Sequence, residues 1–550
     1  MTATATRADH DRAAGPVTPD TTVLIIGAGF GGICTGVELK RVGIDDFIII
    51  DRHDGVGGTW KANTYPGVAV DVPAVYYSFS FEPYPKSTRV FPPGQEVMEY
   101  ADHVVDKYDL RRHLQLSNTA TRTEWDEANN LWRVELNNGE RTITARFVVA
   151  ALGFLEVPKM PDFPGLDKFK GKVVHSARWD HDYDYNGKKI AVVGTGASAL
   201  QLVPEVAHMA SHLTVFQRTP IWVGPKPDFP IDWGADYLLR IPFVRKTVRV
   251  IVSIVLDIAL GGAIAYLKPL QRIAPKVRPL AVFGARLYYG AMVRDKKLVS
   301  QLSPDYMIGC KRPSLSNKYL PTFKRDDVAL VTDSVTEVTE KAIVTADGKH
   351  HEIDVLVCAT GFHVGDHKFT PEFPVLGEGG EHLGDFWNEK RFQAYQGVSV
   401  PGWPNVFLID GPYGYSPNSQ IAAIECTAGH ARRAIEEAVH RGATRVEVKQ
   451  EPHDEYFQQC FSRLNDTDWA QKLCSGTNTY YINYQGDILL RPSMMAEAWL
   501  RNKYFPHEHY SYTAPATGGA ELPSRRGMIS RAIDAIKTYP ARKVFRSDLK

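Results

Sequence analysis

The sequence predicts an α/β protein with two Rossmann-like dinucleotide-binding domains and a helical insertion in the second. Three observations predict it. A β-branched run enters Gly27-Ala28-Gly29-Phe30-Gly31-Gly32 and then a helical pattern; the same plan recurs at Gly194 to Ala199; and the α/β rhythm breaks from about residue 233 to 300. With 550 residues the chain can hold roughly two to four domains. Hydrophobic content of 44% with 23% charged residues is ordinary for a globular protein, and a formal net charge of +1 gives no case for a nucleic-acid partner. The first twenty residues lack the apolar core of a signal peptide and read as a disordered tail. Six scattered cysteines with no CxxC pair argue against a disulfide framework, a zinc site or a dithiol redox centre, and fit a reducing, cytoplasmic compartment. No metal is expected.

The first unit opens with Thr22-Val23-Leu24-Ile25-Ile26, a run suited to a buried parallel strand. Gly27, Gly29 and Gly32 follow at GxGxxG spacing, which permits a tight turn, close backbone approach to a pyrophosphate and close helix–strand packing. Phe47 to Ile50 then ends at Asp51, where a carboxylate can accept from a ribose 2′-OH; a plain strand-end turn is the alternative. An unphosphorylated ribose means FAD or NAD. Beyond it lie Gly57-Gly58-Thr59-Trp60, Tyr65-Pro66-Gly67, Asp71 and the aromatics Tyr76, Tyr77, Phe79 and Phe81. Small residues of this kind let backbone approach a flat ring. From Leu116 to Val149 alternation and turns suggest a β-meander.

The second unit repeats the plan with a changed ending. Lys189 to Val193 enters Gly194-Thr195-Gly196-Ala197-Ser198-Ala199, and Leu213 to Phe216 runs into Gln217-Arg218-Thr219 rather than a carboxylate. A guanidinium at that place suits a 2′-phosphate; an incidental surface arginine is the alternative. Asp51 against Arg218 therefore points to FAD in the first unit and NADPH in the second. Arg249 to Leu267 is strongly apolar but interrupted by Asp257, whose charge disfavours a membrane span by about 2.5–3.5 kcal/mol. Helices buried or partly buried in the second domain are expected, with a membrane-touching face as the lesser reading.

The resulting map places a tail at 1–20, the first part of the FAD domain at 21–168, a linker at 169–185 and the NADP domain at 186–350. The second part of the FAD domain with C-terminal active-site loops follows at 351–513, and a flexible tail with a weak helix at 529–536 closes the chain at 514–550. The linker carries Phe169, Gly171, His175, Trp179 and Asp180. Alone, such a stretch is a surface connection with a packed aromatic.

Taken in order, these motifs resemble type I Baeyer–Villiger monooxygenases, which are class B flavoproteins. The likeness runs from about Val23 to Pro412. It includes both glycine motifs, Phe169-x-Gly171-x₃-His175-x₃-Trp179-Asp180, Gln217-Arg218-Thr219-Pro220, Gly309-Cys310-Lys311-Arg312-Pro313 and Ala359-Thr360-Gly361-Phe362. The resemblance implies that NADPH reduces FAD, that O₂ is captured as a C4a-peroxyflavin, and that oxygen is inserted beside a ketone carbonyl to give an ester or lactone. It implies Arg312 as the catalytic cation and Asp71 as the carboxylate that positions it. It also implies FAD contacts at Gly27, Gly29, Gly32, Asp51, Gly58, Thr59, Trp60, Asp71 and Tyr77, and NADP contacts at Gly194, Thr195, Gly196, Ser198, Arg218, Thr219 and Lys311. His175 would be a packed hinge residue coupling the two domains. Two departures stand out: Ala199 replaces the third glycine, and Tyr480-Tyr481 stands where many members carry a Trp-Tyr pair. An N- or S-oxidising flavin monooxygenase of the same superfamily and a non-catalytic flavin-binding protein are the alternatives.

Overall fold

A computed structural model describes residues 17–522, apart from 85–86, 232–237, 240, 265–267, 313, 367–370, 417, 466, 468–473, 475–478, 480 and 515–519. The first unit begins with β1 (Thr21–Ile26), α1 (Phe30–Arg41) and β2 (Phe47–Ile50). Leu24 and Ile25 are buried on opposite faces of β1, as a strand covered on both sides requires. Then come α2 (Thr59–Ala62), α3 (Gly94–Lys107), β3 (Leu114–Gln115) and the expected meander of β4 (Ala120–Asp126), β5 (Leu131–Leu136) and β6 (Arg141–Ala150). β6 does two jobs. Its first half pairs antiparallel with β5, and its second half runs parallel beside β1.

The second unit contains β7 (Lys172–His175), β8 (Lys189–Val193), α4 (Ala197–Val206) and β9 (His212–Phe216). After β10 (Val223–Gly224) the chain leaves the sheet for α5 (Pro242–Ile264), α6 (Lys268–Val293) and α7 (Lys296–Leu302). It returns through β11 (Ser314–Leu315), α8 (Tyr319–Thr322) and β12 (Val328–Val331). An antiparallel set, β13 (Val335–Val338), β14 (Ala342–Thr345) and β15 (His350–Glu352), precedes β16 (Val355–Cys358). The sheet is parallel throughout, in the order β12-β9-β8-β16-β7.

The remaining chain rebuilds the first unit with β17 (Val375–Leu376), α9 (Leu383–Lys390), β18 (Val406–Leu408), α10 (Gln420–Arg441), β19 (Arg445–Val448), α11 (Gln450–Asn465), α12 (Met495–Lys503) and β20 (Tyr510–Thr513). β18 pairs in parallel with Val148 to Ala150 of β6, so the first sheet is closed by residues more than 250 positions downstream. α10 is buried along much of its length; Ser419 caps its start by accepting from Ala422 N, and Gly442 ends it in the left-handed region at φ 73°.

Three expectations change. The stretch read as a linker at 169–185 begins as an edge strand of the second sheet, because β7 pairs with β16 from Lys172 to His175. For the same reason Val355 to Cys358, expected in the second part of the FAD domain, belongs to the second sheet. The tails are anchored where they meet the body: Asp20 Oδ2 accepts from Thr144 N and Oγ1 at 2.8 Å, and Leu522 N donates to Tyr512 O at 2.8 Å. Residues 1–16 and the helix expected at 529–536 lie outside the described residues, as do Pro313 and Tyr480.

Candidate active site

The first glycine turn is set by close backbone contacts. Gly27 sits at φ 111°, and a Cβ there would come within 2.3 Å of Ala151 O. At Gly32 a Cβ would lie 1.9 Å from Gly27 O, so this third glycine serves helix–turn packing. Gly29 faces Gly58, with the nearest approach of a Cβ on Gly29 at 3.4 Å from Gly58 Cα. Asp51 ties the turn to the end of β2: Oδ2 accepts from Ala28 N at 2.7 Å and Oδ1 from His53 N at 2.8 Å. Trp60 Nε1 donates to Tyr77 Oη at 3.1 Å, and burial pushes the Tyr77 phenol well above its ordinary range.

The second turn repeats this geometry. Gly194 has φ 110°, and a Cβ there would lie 2.3 Å from Ala359 O. A Cβ at Gly196 would meet nothing within 4 Å, which leaves the backbone open at the mouth of the helix. Thr195 Oγ1 donates to Thr219 O at 2.7 Å and joins the glycine turn to the end of β9. Burial, and after it the Arg218 guanidinium, lower the pKa of Lys311. Two cations from segments far apart in sequence thus share one neighbourhood, which suits a polyanion.

Arg312 and Asp71 meet across 241 positions of sequence: Arg312 Nε donates to Asp71 Oδ2 at 2.8 Å. Each partner is held by its own element. Asp71 lies between Val70 and Val72, both buried in the core. Arg312 follows Gly309, at φ 107°, and precedes β11, whose Ser314 N donates to Trp222 O at 3.0 Å. Cys310, two residues before Arg312, forms a disulfide with Cys474, which corrects the expectation of no disulfide. Spacing rules are blind to this pair because 164 positions separate its members.

One cavity of about 1440 Å³ joins all of this. Its walls include Gly27, Gly29, Asp51, Gly58, Thr59, Trp60, Asp71 and Tyr77 from the first unit, and Gly194, Thr195, Gly196, Ser198, Arg218, Thr219 and Lys311 from the second, with Arg312 between. Gly32 is absent from the walls. So are Phe169, Gly171, His175, Trp179 and Asp180, and their geometry shows what they do instead. A Cβ on Gly171 would fall 2.3 Å from Asp354 O and 2.4 Å from Phe169 Cζ, so Phe and Gly form a packing pair. Trp179 stacks on Tyr185 with centroids 4.5 Å apart, and Asp180 pairs with Lys172. His175 is buried, its Nδ1 accepts from Ala177 N at 3.1 Å, and burial pushes it down to about 4. The same stretch reaches the first unit through Arg178 to Glu156 at 3.1 Å and His181 Nε2 to Thr64 Oγ1 at 2.8 Å. Glu156 in turn accepts from His53, two residues beyond Asp51, and raises its pKa.

Sequence reasoning gave no role to two groups on the cavity wall. Tyr65 Oη donates to Gln201 Oε1 at 2.9 Å, and Gln201 Nε2 donates back to Ala69 O at 2.9 Å, so α4 clamps the loop leading to Asp71. Asp410, which follows the apolar run ending at Ile409, is buried, bonded to Gln420, and pushed up to about 7 by burial. An acid at the end of an apolar strand run was the available signal, as at Asp51.

Comparison with known proteins agrees with this arrangement. Residues 24–240 match the family model described as pyridine nucleotide-disulphide oxidoreductase. A Baeyer–Villiger monooxygenase from Streptomyces coelicolor is 36% identical over 503 residues, covering 90% of this chain and 93% of that protein. Another from Pseudomonas aeruginosa is 36% identical over 466 residues, covering 84% of this chain and 85% of that one. A crystal structure of OTEMO in complex with FAD and NADP superposes with a TM-score of 0.78 at 25% identity, covering 90% of this chain and 100% of that one. With two glycine turns, an arginine–carboxylate pair and one shared cavity already in place, this chain belongs to the Baeyer–Villiger monooxygenase family.

Proposed function

We propose that the chain is an FAD-containing, NADPH-dependent monooxygenase that inserts one oxygen atom of O₂ beside a ketone carbonyl, giving an ester or lactone. The observation that carries this reading is the Arg312–Asp71 pair at the junction of two glycine-turn sites in one cavity. The residues present fit both cofactors. Gly29 facing Gly58 leaves a side-chain-free gap for a pyrophosphate in the first unit, and the open backbone at Gly196 offers the same in the second. Asp51 can accept from a free ribose hydroxyl, whereas Arg218 and Lys311 can meet a 2′-phosphate. When bound, the flavin supplies reduction by NADPH and activation of O₂.

The protein's own part is electrostatic and positional. Negative charge develops on the ketone oxygen when a nucleophilic oxygen adds to its carbonyl carbon, and a preformed cation stabilises that charge most in a site shielded from water. Arg312 supplies such a cation and stays charged at every working pH, so it stabilises charge without trading a proton. Asp71 holds the Nε–H edge and thereby fixes the plane of the guanidinium. Trp60 and Tyr77 provide aromatic wall on the same side of the cavity. The test is NADPH consumption over a panel of linear, cyclic and aryl ketones, with mass analysis of products. Products heavier than the ketone by one oxygen atom support the reading; oxidation confined to amine or sulfide substrates would replace it.

A further inference from the structure

The helical insertion is partly buried, as expected, and its outer side is apolar. α5 presents Ile251, Val255 and Ile258, at i, i+4 and i+7, to the outside, and α6 does the same with Ile273, Val277, Leu280 and Leu287. Leu280 is 70% exposed and Leu287 59%. Both helices also have a second, inward face. Val252 and Leu256 pack on Val72 and Tyr76, and Tyr289 Oη accepts from Val223 N at 2.7 Å and donates to Ile221 O at 3.1 Å. The outward stripes are thus additional to those that hold the helices to the body. Contiguous apolar surface of this kind marks an interaction site.

Charge decides the partner. Residues 242–297 contain eleven Lys and Arg against two Asp and no Glu, and of these cations Arg249 turns inward to pair with Glu425 at 3.1 Å. Of the two acids, Asp257 is buried, accepting from Asn418 Nδ2 at 2.8 Å and Met495 N at 3.0 Å, which leaves Asp295, the cap of α7 through Leu298 N, as the one exposed carboxylate of this stretch. A self-complementary dimer on this face would set the patch against its own copy and bring like charges together. A bilayer with anionic headgroups supplies both an apolar layer and opposite charge. No helix among the described residues is long and apolar enough to cross a membrane, so the helices would lie on the surface.

We infer that α5 and α6 form a docking surface for an anionic lipid bilayer. The inference stands independently of the reaction proposed above. Its consequence is positional: the segment carrying Asp71 and Val72 packs directly beneath α5, so docking places the cavity about one helix diameter, ~10 Å, from the lipid.

Flotation of the cofactor-loaded full chain with phosphatidylcholine vesicles, with and without phosphatidylglycerol, tests this. The chain should float with the phosphatidylglycerol vesicles only and be released by high salt. Arg286→Gln and Lys276→Gln should each lower partitioning on the order of fivefold. Val255→Asn with Leu280→Asn should abolish it while NADPH oxidation without lipid is unchanged, which shows that the variant is folded. Failure of the wild-type chain to float with either vesicle, or flotation unchanged in the variants, overturns the inference. So does a dimer in light scattering that the Val255→Asn, Leu280→Asn variant dissolves, because a second copy would then be the occupant.

Discussion

Replacing Arg218 by alanine should separate the two nicotinamide cofactors. Arg218 lies two residues past β9 on the cavity wall beside Lys311, and it contributes to the lowered pKa of that lysine. A charge-assisted bond to phosphate stabilises binding by about 1.5–3 kcal/mol, a factor of roughly 10–150. Arg218 is exposed, so screening puts its share at the lower end, about tenfold in KM for NADPH. Lys311 is more enclosed, and Lys311→Ala should cost nearer the upper end. NADH carries no 2′-phosphate, so its KM should stay within about twofold in either variant. The neighbourhood adds a second, sharper expectation. Protonated Lys311 binds phosphate, and its depressed pKa makes KM for NADPH rise below the usual lysine range. Removing the Arg218 charge should shift that rise to higher pH. Initial rates against NADPH and NADH across pH read all of this. Equal losses with both cofactors, or a pH profile that Arg218→Ala leaves in place, would refute the 2′-phosphate assignment.

Gly171→Ala should lower the Tm by several degrees, from overpacking of about 1–3 kcal/mol against Asp354 O and Phe169, while kcat at moderate temperature is preserved; a large loss of kcat without a Tm change would make the stretch catalytic after all. Asp410 should make the unfolding free energy pH-dependent. Its folded pKa of about 7 lies above the unfolded 3.8, so stability is greatest below the unfolded value and falls as pH rises through the folded one. The full span is on the order of 4 kcal/mol, and denaturant titrations of Asp410→Asn should be flatter over that window. Reduction of Cys310–Cys474, or Cys474→Ser, opens a crosslink across 164 positions. The loss is about 5 kcal/mol at most, seen as a lower Tm with reductant; an unchanged Tm would show that the link does not constrain the unfolded chain.

What could be read from the sequence was what local pattern encodes. β1, α1, β2 and their counterparts around Gly194 announce themselves because strand, glycine turn and helix are contiguous, and the strand-end residues Asp51 and Arg218 sit at fixed distances from the turns. The same logic hid three features. β7 pairs with β16 across 183 positions of chain, so an edge strand looked like a linker. The Cys310–Cys474 link and the Tyr65–Gln201 clamp join positions that no spacing rule connects. The outward stripes of α5 and α6 were legible as apolar residues, but whether an apolar stripe faces core or exterior depends on which neighbour fills the other side. Arg312 and Asp71 were named only through family resemblance; nothing in their separate segments indicates that they meet.

The central claim is that Arg312, oriented by Asp71, stabilises the charge formed during oxygen insertion. The most direct measurement is the partition of NADPH-derived electrons in Arg312→Ala between oxygenated ketone and hydrogen peroxide. Flavin reduction by NADPH should persist, ester should fall below detection, and peroxide should account for the NADPH consumed. Ester formation at a near-normal rate in that variant would contradict it.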